Sequence, residues 1–560
     1  MFIALELCLA AICIPLALML PHVGEAHLSL IERKFSAFSQ RKHLVVVCIG
    51  LLALALRLAL LPMLPIPQPK VSDEFSYLLQ ADTFAHGRLA NPSSPMWVHF
   101  ETFQENWIPK YGSMYYPGYG AFLALGQVAT GHPFWGVWLS SGLMCAAICW
   151  ALQGWLPAGW ALLGGLLAVV RLGSFSYWTN SYWGGTVTAI GGALVIGALP
   201  RIRREMRVRD SLLLAAGMAT LAYTRPYEGL FFCVPVLIAL IWWAEETSIP
   251  VTKFLSRIAL PVGLVMLIAL SALAFFFYSL TGSPFTTPYQ INMHTYGLMY
   301  FPWEPIRSVT FRHPEMQEFY RGGSVVGWYH EAREHPLRLQ LLKAFVVWMF
   351  YFGPMLTLAI LAWLFTRPRH EFWGSFSPDL RFLLILCATT WLSCMLTIYI
   401  GQPHYVAALT TAFYAIILLT LREMYDSGNP SLKFLARAIP AICFVLLVVR
   451  IAAPFVGFEP KPSWIRTWCS QDEQNLERAR VLSELEHAPG KHLVIVHYKP
   501  NHDFILDEWV YNHADINQSK VIWARDMGVQ NAELLRYFPD RHAWLAEPDY
   551  SPARVSPYEH

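Results

Sequence analysis

Lys70-Val71-Ser72-Asp73-Glu74-Phe75-Ser76-Tyr77-Leu78-Leu79 follows directly on a long apolar segment. Pro65, Pro67 and Pro69 end the preceding helix, and Ser72 can cap a new one. Asp73 and Glu74 then fall in its first turn, where unpaired backbone N–H groups and the helix dipole favour ionised carboxylates. Phe75, Leu78 and Leu79 give an i, i+3, i+4 apolar face, which predicts a helix lying on the membrane surface. Two adjacent acids are thereby held at the mouth of a membrane protein. The same pair would equally suit an ordinary solvated first turn.

The rest of the chain supports a membrane setting. Of its 560 residues 55% are hydrophobic and only 14% charged, against roughly 25% charged in a typical soluble protein. Many of the 22 Trp and 25 Tyr flank apolar runs, as interfacial residues do. A net charge of +3 gives no basis for a nucleic-acid partner. Of the ten cysteines only Cys469 lies in a clearly aqueous stretch, so neither a disulfide framework nor a CxxC metal site follows.

Apolar runs of spanning or near-spanning length occur at about 2–20, 44–64, 134–152, 157–172, 184–200, 211–224, 229–244, 258–280, 341–364, 382–400, 404–421 and 438–453. A mainly α, polytopic fold of about twelve transmembrane helices is predicted. The runs at 211–224 and 229–244 are short and could form one broken pair meeting at Thr224–Gly229. Lys and Arg set the orientation. The connections 21–43, 201–210, 245–257, 366–381 and 422–437 carry 17 in 78 residues, and the alternate set carries 9 in 147. The first set is cytoplasmic by the positive-inside rule, so the loops 66–133 and 281–340 and the C-terminal tail face outward.

Residues 454–560 read as a separate soluble α/β domain. Strands are predicted at His492–Tyr498, Lys520–Ala524 and His542–Leu545, with a helix at Asn531–Tyr537. No glycine-rich phosphate loop is present in this tail.

Charged residues at membrane depth are functional candidates by default. Arg57 and Arg171 lie near the outer ends of apolar runs, and Arg225 sits in an outward turn stopped by Pro226. Three such arginines could hold an anionic headgroup such as a lipid phosphate, or could be snorkelling anchors and partners for nearby acids. Gly401-Gln402-Pro403-His404-Tyr405 opens another run at the same face, where a histidine can donate to phosphate, ligate a metal or move a proton. It would also suit a plain polar helix start. His330-Glu331 lacks the HExxH spacing of a zincin.

The motifs Asp73–Leu79 (DEFSYLL), Ser181–Gly185 (SYWGG), Arg225–Gly229 (RPYEG) and Gln402–Tyr405 (QPHY), with this topology, resemble the GT-C superfamily of membrane glycosyltransferases. The likeness is to bacterial protein O-mannosyltransferase and aminoarabinose transferase-like members. It spans roughly residues 44–450, after an N-terminal membrane helix and cytoplasmic linker (1–43), and makes 454–560 a periplasmic accessory domain. It implies a multi-pass protein of the bacterial cytoplasmic membrane. Such a protein would transfer a sugar, with inversion, from a polyprenyl-phosphate-linked donor to a glycan, lipid or protein acceptor. Asp73 would be the general base, assisted by Glu74. Arg225, with His404, Arg171 and Arg57, would bind the donor phosphate. Tyr77, Tyr182, Trp183, Tyr227, Glu228, Gln402 and Tyr405 would line the substrates. His404 stands where relatives often carry arginine. The resemblance admits a divalent cation, yet residues 173–183 supply no second acid for one. A lipid-linked glycan flippase and a non-catalytic envelope scaffold stay open as alternatives, and convergence of Asp73 and Arg225 on one cavity discriminates against both.

Overall fold

All twelve apolar segments carry helix in the computed structural model, which describes residues 2–322, 325–366, 374, 376–399, 401–458, 462–463, 465–470 and 472–559. Among the described residues nine helices are long and apolar enough to cross a membrane: Phe2–Met19, Lys42–Ala59, Phe134–Trp155, Thr186–Glu205, Pro226–Glu246, Val251–Thr281, Pro378–Met395, Pro403–Asp426 and Pro430–Val456. Pro336–Tyr351 and Gly353–Phe365 would make a tenth, but they meet at a 98° bend. Two expected segments are the shorter helices Ala158–Arg171 and Val208–Thr224. Val208–Thr224 and Pro226–Glu246 are not halves of one broken span, because they run 17 and 21 residues. Pro226 opens the second helix, where its missing N–H costs nothing, and Arg225 is left alone in the turn. Pro403–Asp426 is buried almost all round and forms the central rod of the bundle.

The bend at 351–353 frees backbone groups inside an apolar bundle, where they cannot remain unpaired. A buried ion pair meets them. Arg171, at the end of Ala158–Arg171, donates to the Phe352 carbonyl at 2.9 Å and to Glu6 Oε1 at 3.0 Å. Glu6, from the first helix, accepts in turn from the Met355 N–H at 3.1 Å and from Trp468 Nε1 at 3.2 Å. Gly353 makes the approach feasible. Its φ is +58°, and a Cβ there would stand 2.9 Å from Arg171 Nη2.

The apolar face of the helix Ser72–Ala85, expected to meet the membrane surface, is covered by protein instead. Phe75 and Leu79 are buried against the far end of the chain: Phe75 stacks on Tyr511 at 4.1 Å, and Leu79 shares a core with Leu493, Ile522 and Leu534. Ser72 is not its cap either. Val71 precedes the helix and has no acceptor, so the Glu74 carboxylate reaches back to the Lys70 and Val71 N–H groups at 2.9 and 3.3 Å.

The tail builds a four-stranded sheet. With β1 (Glu105–Asn106) and β2 (Gly112–Ser113) paired in the first long loop, its strands are β3 (Lys491–Val496), β4 (Val521–Arg525), β5 (Arg541–Glu547) and β6 (Arg554–Pro557). Their order is β4-β3-β5-β6, parallel except for the antiparallel β5–β6 pair. One face packs on the helix Leu476–His487 through Val481 and Leu485. The other packs on Phe100, Trp107 and Tyr111 of the long loop. Arg525 fixes this junction, donating to the Glu101 carbonyl at 2.6 Å and to Glu508 at 2.8 Å.

Removing one partner of the buried Glu6–Arg171 pair should be severe. Arg171→Met should cost roughly 3–5 kcal/mol, because it strands a buried carboxylate, and Glu6→Gln on top should recover part of the loss. Thermal unfolding in detergent, followed by tryptophan fluorescence, reads both outcomes.

Candidate active site

The candidate site is built where four local features end at the same level of the bundle. These are the start of the Asp73 helix, the Arg225 turn, the first turns of the central rod and the loop after Thr281. They enclose a cavity of about 750 Å³, within the range of small-ligand sites. Asp73, Tyr77, Trp183, Arg225, Tyr227, Glu228, Gln402 and Tyr405 all line it. The sequence motifs thus converge on one place. Asp73 and Arg225 face the same space.

Asp73 is half-buried, and its Oδ1 accepts from the Tyr115 hydroxyl at 2.5 Å. Burial raises its carboxyl above the usual range, against the Tyr115 and Gln104 hydrogen bonds and the nearby Arg225 charge. Arg225 pairs with Glu228 at 3.5 Å and lies over the Tyr405 ring at 4.5 Å. Pro226 fixes its turn, and Tyr405 gives the planar guanidinium a platform, so the cation is held before any ligand arrives. Tyr227 packs edge-on against Tyr300 at 5.7 Å. Tyr289, Tyr300 and Tyr399 complete an aromatic wall that lowers the local dielectric and strengthens charges in the cavity.

Five expected site residues stand elsewhere. Glu74 is buried behind the cavity, where its second oxygen accepts from the Tyr182 N–H at 2.9 Å. It therefore pins the 173–183 loop to the helix start. Tyr182 is equally buried, its hydroxyl donating to the Pro67 carbonyl. His404 sits under Trp183 and bonds Tyr177 at 2.8 Å. Arg57 is fully buried and donates to the Leu64 and Thr179 carbonyls at 3.0 and 3.4 Å. Arg171 belongs to the bend described above. None of the five lines the cavity.

The cavity also holds residues that sequence reasoning passed over. Arg466 donates to Gln402 Oε1 at 2.7 Å, pairs with Asp472 at 3.0 Å and lies over Trp183 at 4.6 Å. Its aromatic neighbours Trp464 and Trp468 in the sequence were the available signal. Ile505 and Leu506 add an apolar edge from the tail. Lys70, three residues before Asp73, reaches Glu473 at 2.8 Å and Asp507 at 3.7 Å. Among the described residues no group of three or more His, Cys, Asp or Glu is arranged to hold a metal ion.

No family model matches the chain, and no curated protein matches it. Solved structures similar to it include the oligosaccharyltransferase of Archaeoglobus fulgidus in complex with zinc and sulfate. That match has 12% identity and a TM-score of 0.49, and covers 90% of this chain and 67% of that one. ArnT from Cupriavidus metallidurans bound to undecaprenyl phosphate is similar at 13% identity and a TM-score of 0.44, over 90% and 92% of the two chains. The chain spans about two thirds of the length of the archaeal enzyme.

Glu74 makes one pH-dependent prediction. Burial pushes its carboxyl up to about 7 from an ordinary 4.5. Between those values the folded protein holds a proton that the unfolded chain has released, so stability falls as pH rises from about 4.5 to about 7. Glu74→Gln loses acceptors for backbone N–H groups and should start from a lower baseline, without that slope. Denaturation curves taken across this window compare the two.

Proposed function

We propose that the chain is an inverting membrane glycosyltransferase of the GT-C type. It moves a sugar from a polyprenyl-phosphate-linked donor to an acceptor hydroxyl of the cell envelope, on the outer side of the cytoplasmic membrane. The single observation carrying this reading is that a carboxylate, Asp73, and an aromatic-backed guanidinium, Arg225, line one cavity at the end of a membrane bundle. The motif resemblance and the Lys/Arg asymmetry of the connections support it.

In this mechanism the acceptor oxygen attacks the anomeric carbon while its proton passes to Asp73. The sugar–phosphate C–O bond breaks, leaving its electron pair on the phosphate, and Arg225 stabilises the charge that gathers there. A carboxyl whose affinity for a proton is raised by burial is a better base than a free aspartate. Trp183, Tyr227 and Tyr405 line the space the sugar takes, and residues 454–560 form a periplasmic accessory unit that adds Ile505 and Leu506 to the cavity wall. The acceptor is a glycan, a lipid or a protein hydroxyl.

Asp73→Asn should stay folded and lose about 10²–10⁴-fold in transfer from a polyprenyl-phosphate sugar to envelope acceptors. Full activity in that variant would remove Asp73 as the base.

Arg225→Ala should weaken binding of a polyprenyl-phosphate donor by about 1.5–3 kcal/mol, one charge-assisted contact. Lysine at that position should rescue in part, keeping the charge without the planar fork. Donor affinity unchanged in a folded alanine variant would take the phosphate away from Arg225.

A further inference from the structure

Asp73, Ser76, Tyr77 and Gln80 stand at i, i+3, i+4 and i+7 on one face of the Ser72–Ala85 helix. All four meet the loop 104–115. Ser76 Oγ donates to the Gln104 carbonyl at 2.7 Å and shares a 2.8 Å bond with Ser113 Oγ. Ser113 Oγ accepts from the Tyr115 N–H at 3.1 Å, and Gln80 Nε2 donates to the Tyr115 carbonyl at 2.9 Å. The Tyr115 ring stacks nearly parallel on Tyr77, 4.5 Å between centroids. One helix face therefore holds both the backbone and the ring of Tyr115. It also carries the carboxylate that receives the Tyr115 hydroxyl at 2.5 Å, a length typical of a charge-assisted O–H···O⁻ bond.

The loop is held in a strained shape to achieve this. Gln104, beside Asp73 in the cavity wall, has φ +59°, a left-handed conformation that non-glycine residues seldom adopt. Such residues persist where their surroundings over-determine them. Here Ser76 holds its carbonyl, and its N–H donates to the Tyr320 hydroxyl at 3.1 Å.

We propose that Tyr115 is the positioning residue of the base: its hydroxyl holds Oδ1 of the Asp73 carboxylate, beside the Gln104 side chain, and so aims the group that receives the acceptor's proton. This rests on the reading of Asp73 as the base. Tyr115 gives up no proton itself. Burial holds its phenol well above the ordinary tyrosine range, so it remains a donor throughout. When the acceptor's proton arrives at the carboxylate, the bond from Tyr115 persists in weaker form. The carboxyl thus stays aimed for the next turnover.

The test uses the full-length protein in detergent or nanodiscs. The infrared carboxyl band of the wild type minus that of Asp73→Asn follows the protonation of Asp73 alone, without any substrate. Tyr115→Phe keeps the stack on Tyr77 and both backbone bonds. It should raise the Asp73 midpoint by about one to two pH units, the loss of one hydrogen bond to a charged group. Fluorinated tyrosine at position 115 keeps the shape and donates more strongly, and should lower the midpoint. The acid limb of the transfer rate should move with the midpoint in both variants. A midpoint that neither variant moves overturns the proposal with the base reading intact. A midpoint that moves while the rate profile stays fixed overturns the base reading, and the proposal with it.

Discussion

Backbone hydrogen-bonding groups freed inside a membrane bundle have to be met by side chains, and that constraint organises this protein. At three places where a helix starts, stops or bends among apolar neighbours, a buried ionisable side chain meets the loose N–H or carbonyl groups. Glu74 serves the start of the Asp73 helix and the loop at Tyr182, Glu6 and Arg171 serve the bend at Phe352, and Arg57 serves Leu64 and Thr179. Each such side chain is costly to bury, and the hydrogen bonds it makes to loose backbone offset part of that cost. The cavity charges differ in one respect. Asp73 and Arg225 pair with side chains and still face open space.

That contrast explains which parts of the site were legible in the sequence. Arg57, Arg171 and Arg225 look alike on paper, each at the end of an apolar run. What separates them is whether a broken stretch of backbone lies beside them in space, and for Arg171 that stretch is 181 residues away. Pro226 was the only local clue, since it guaranteed Arg225 a turn of its own. Asp73, Tyr227, Gln402 and Tyr405 were legible because each sits beside the punctuation that ends a membrane segment. Tyr115 and Arg466 were not, because their partners lie 42 and 64 residues away, and the aromatics beside Arg466 do not say which partner it reaches.

The fold shows the same division. The helices of the bundle follow from apolar runs alone, and three of the four tail strands follow from short apolar stretches with one helix between them. β6, Arg-Val-Ser-Pro, is a mostly exposed edge strand with a proline and carries no such pattern. The Phe75 and Leu79 face was correctly apolar and wrongly matched to lipid. Its actual partners, Tyr511 and Leu493, lie more than four hundred residues downstream.

This last separation bears on how the molecule comes into being. The helix that carries Asp73 is synthesised more than four hundred residues before those that bury it. Asp82, on the same helix, waits for the Ala514 N–H 432 residues further on, and Tyr111 for the Asn512 carbonyl 401 residues further on. Closing contacts of such range is slow compared with forming the helices between them. Until the sheet has docked, Phe75 and Leu79 remain uncovered, and the pocket they brace lacks its backing. The helix bundle can therefore form before the Asp73 helix is fully packed, and docking of the sheet gives that end of the bundle its final shape.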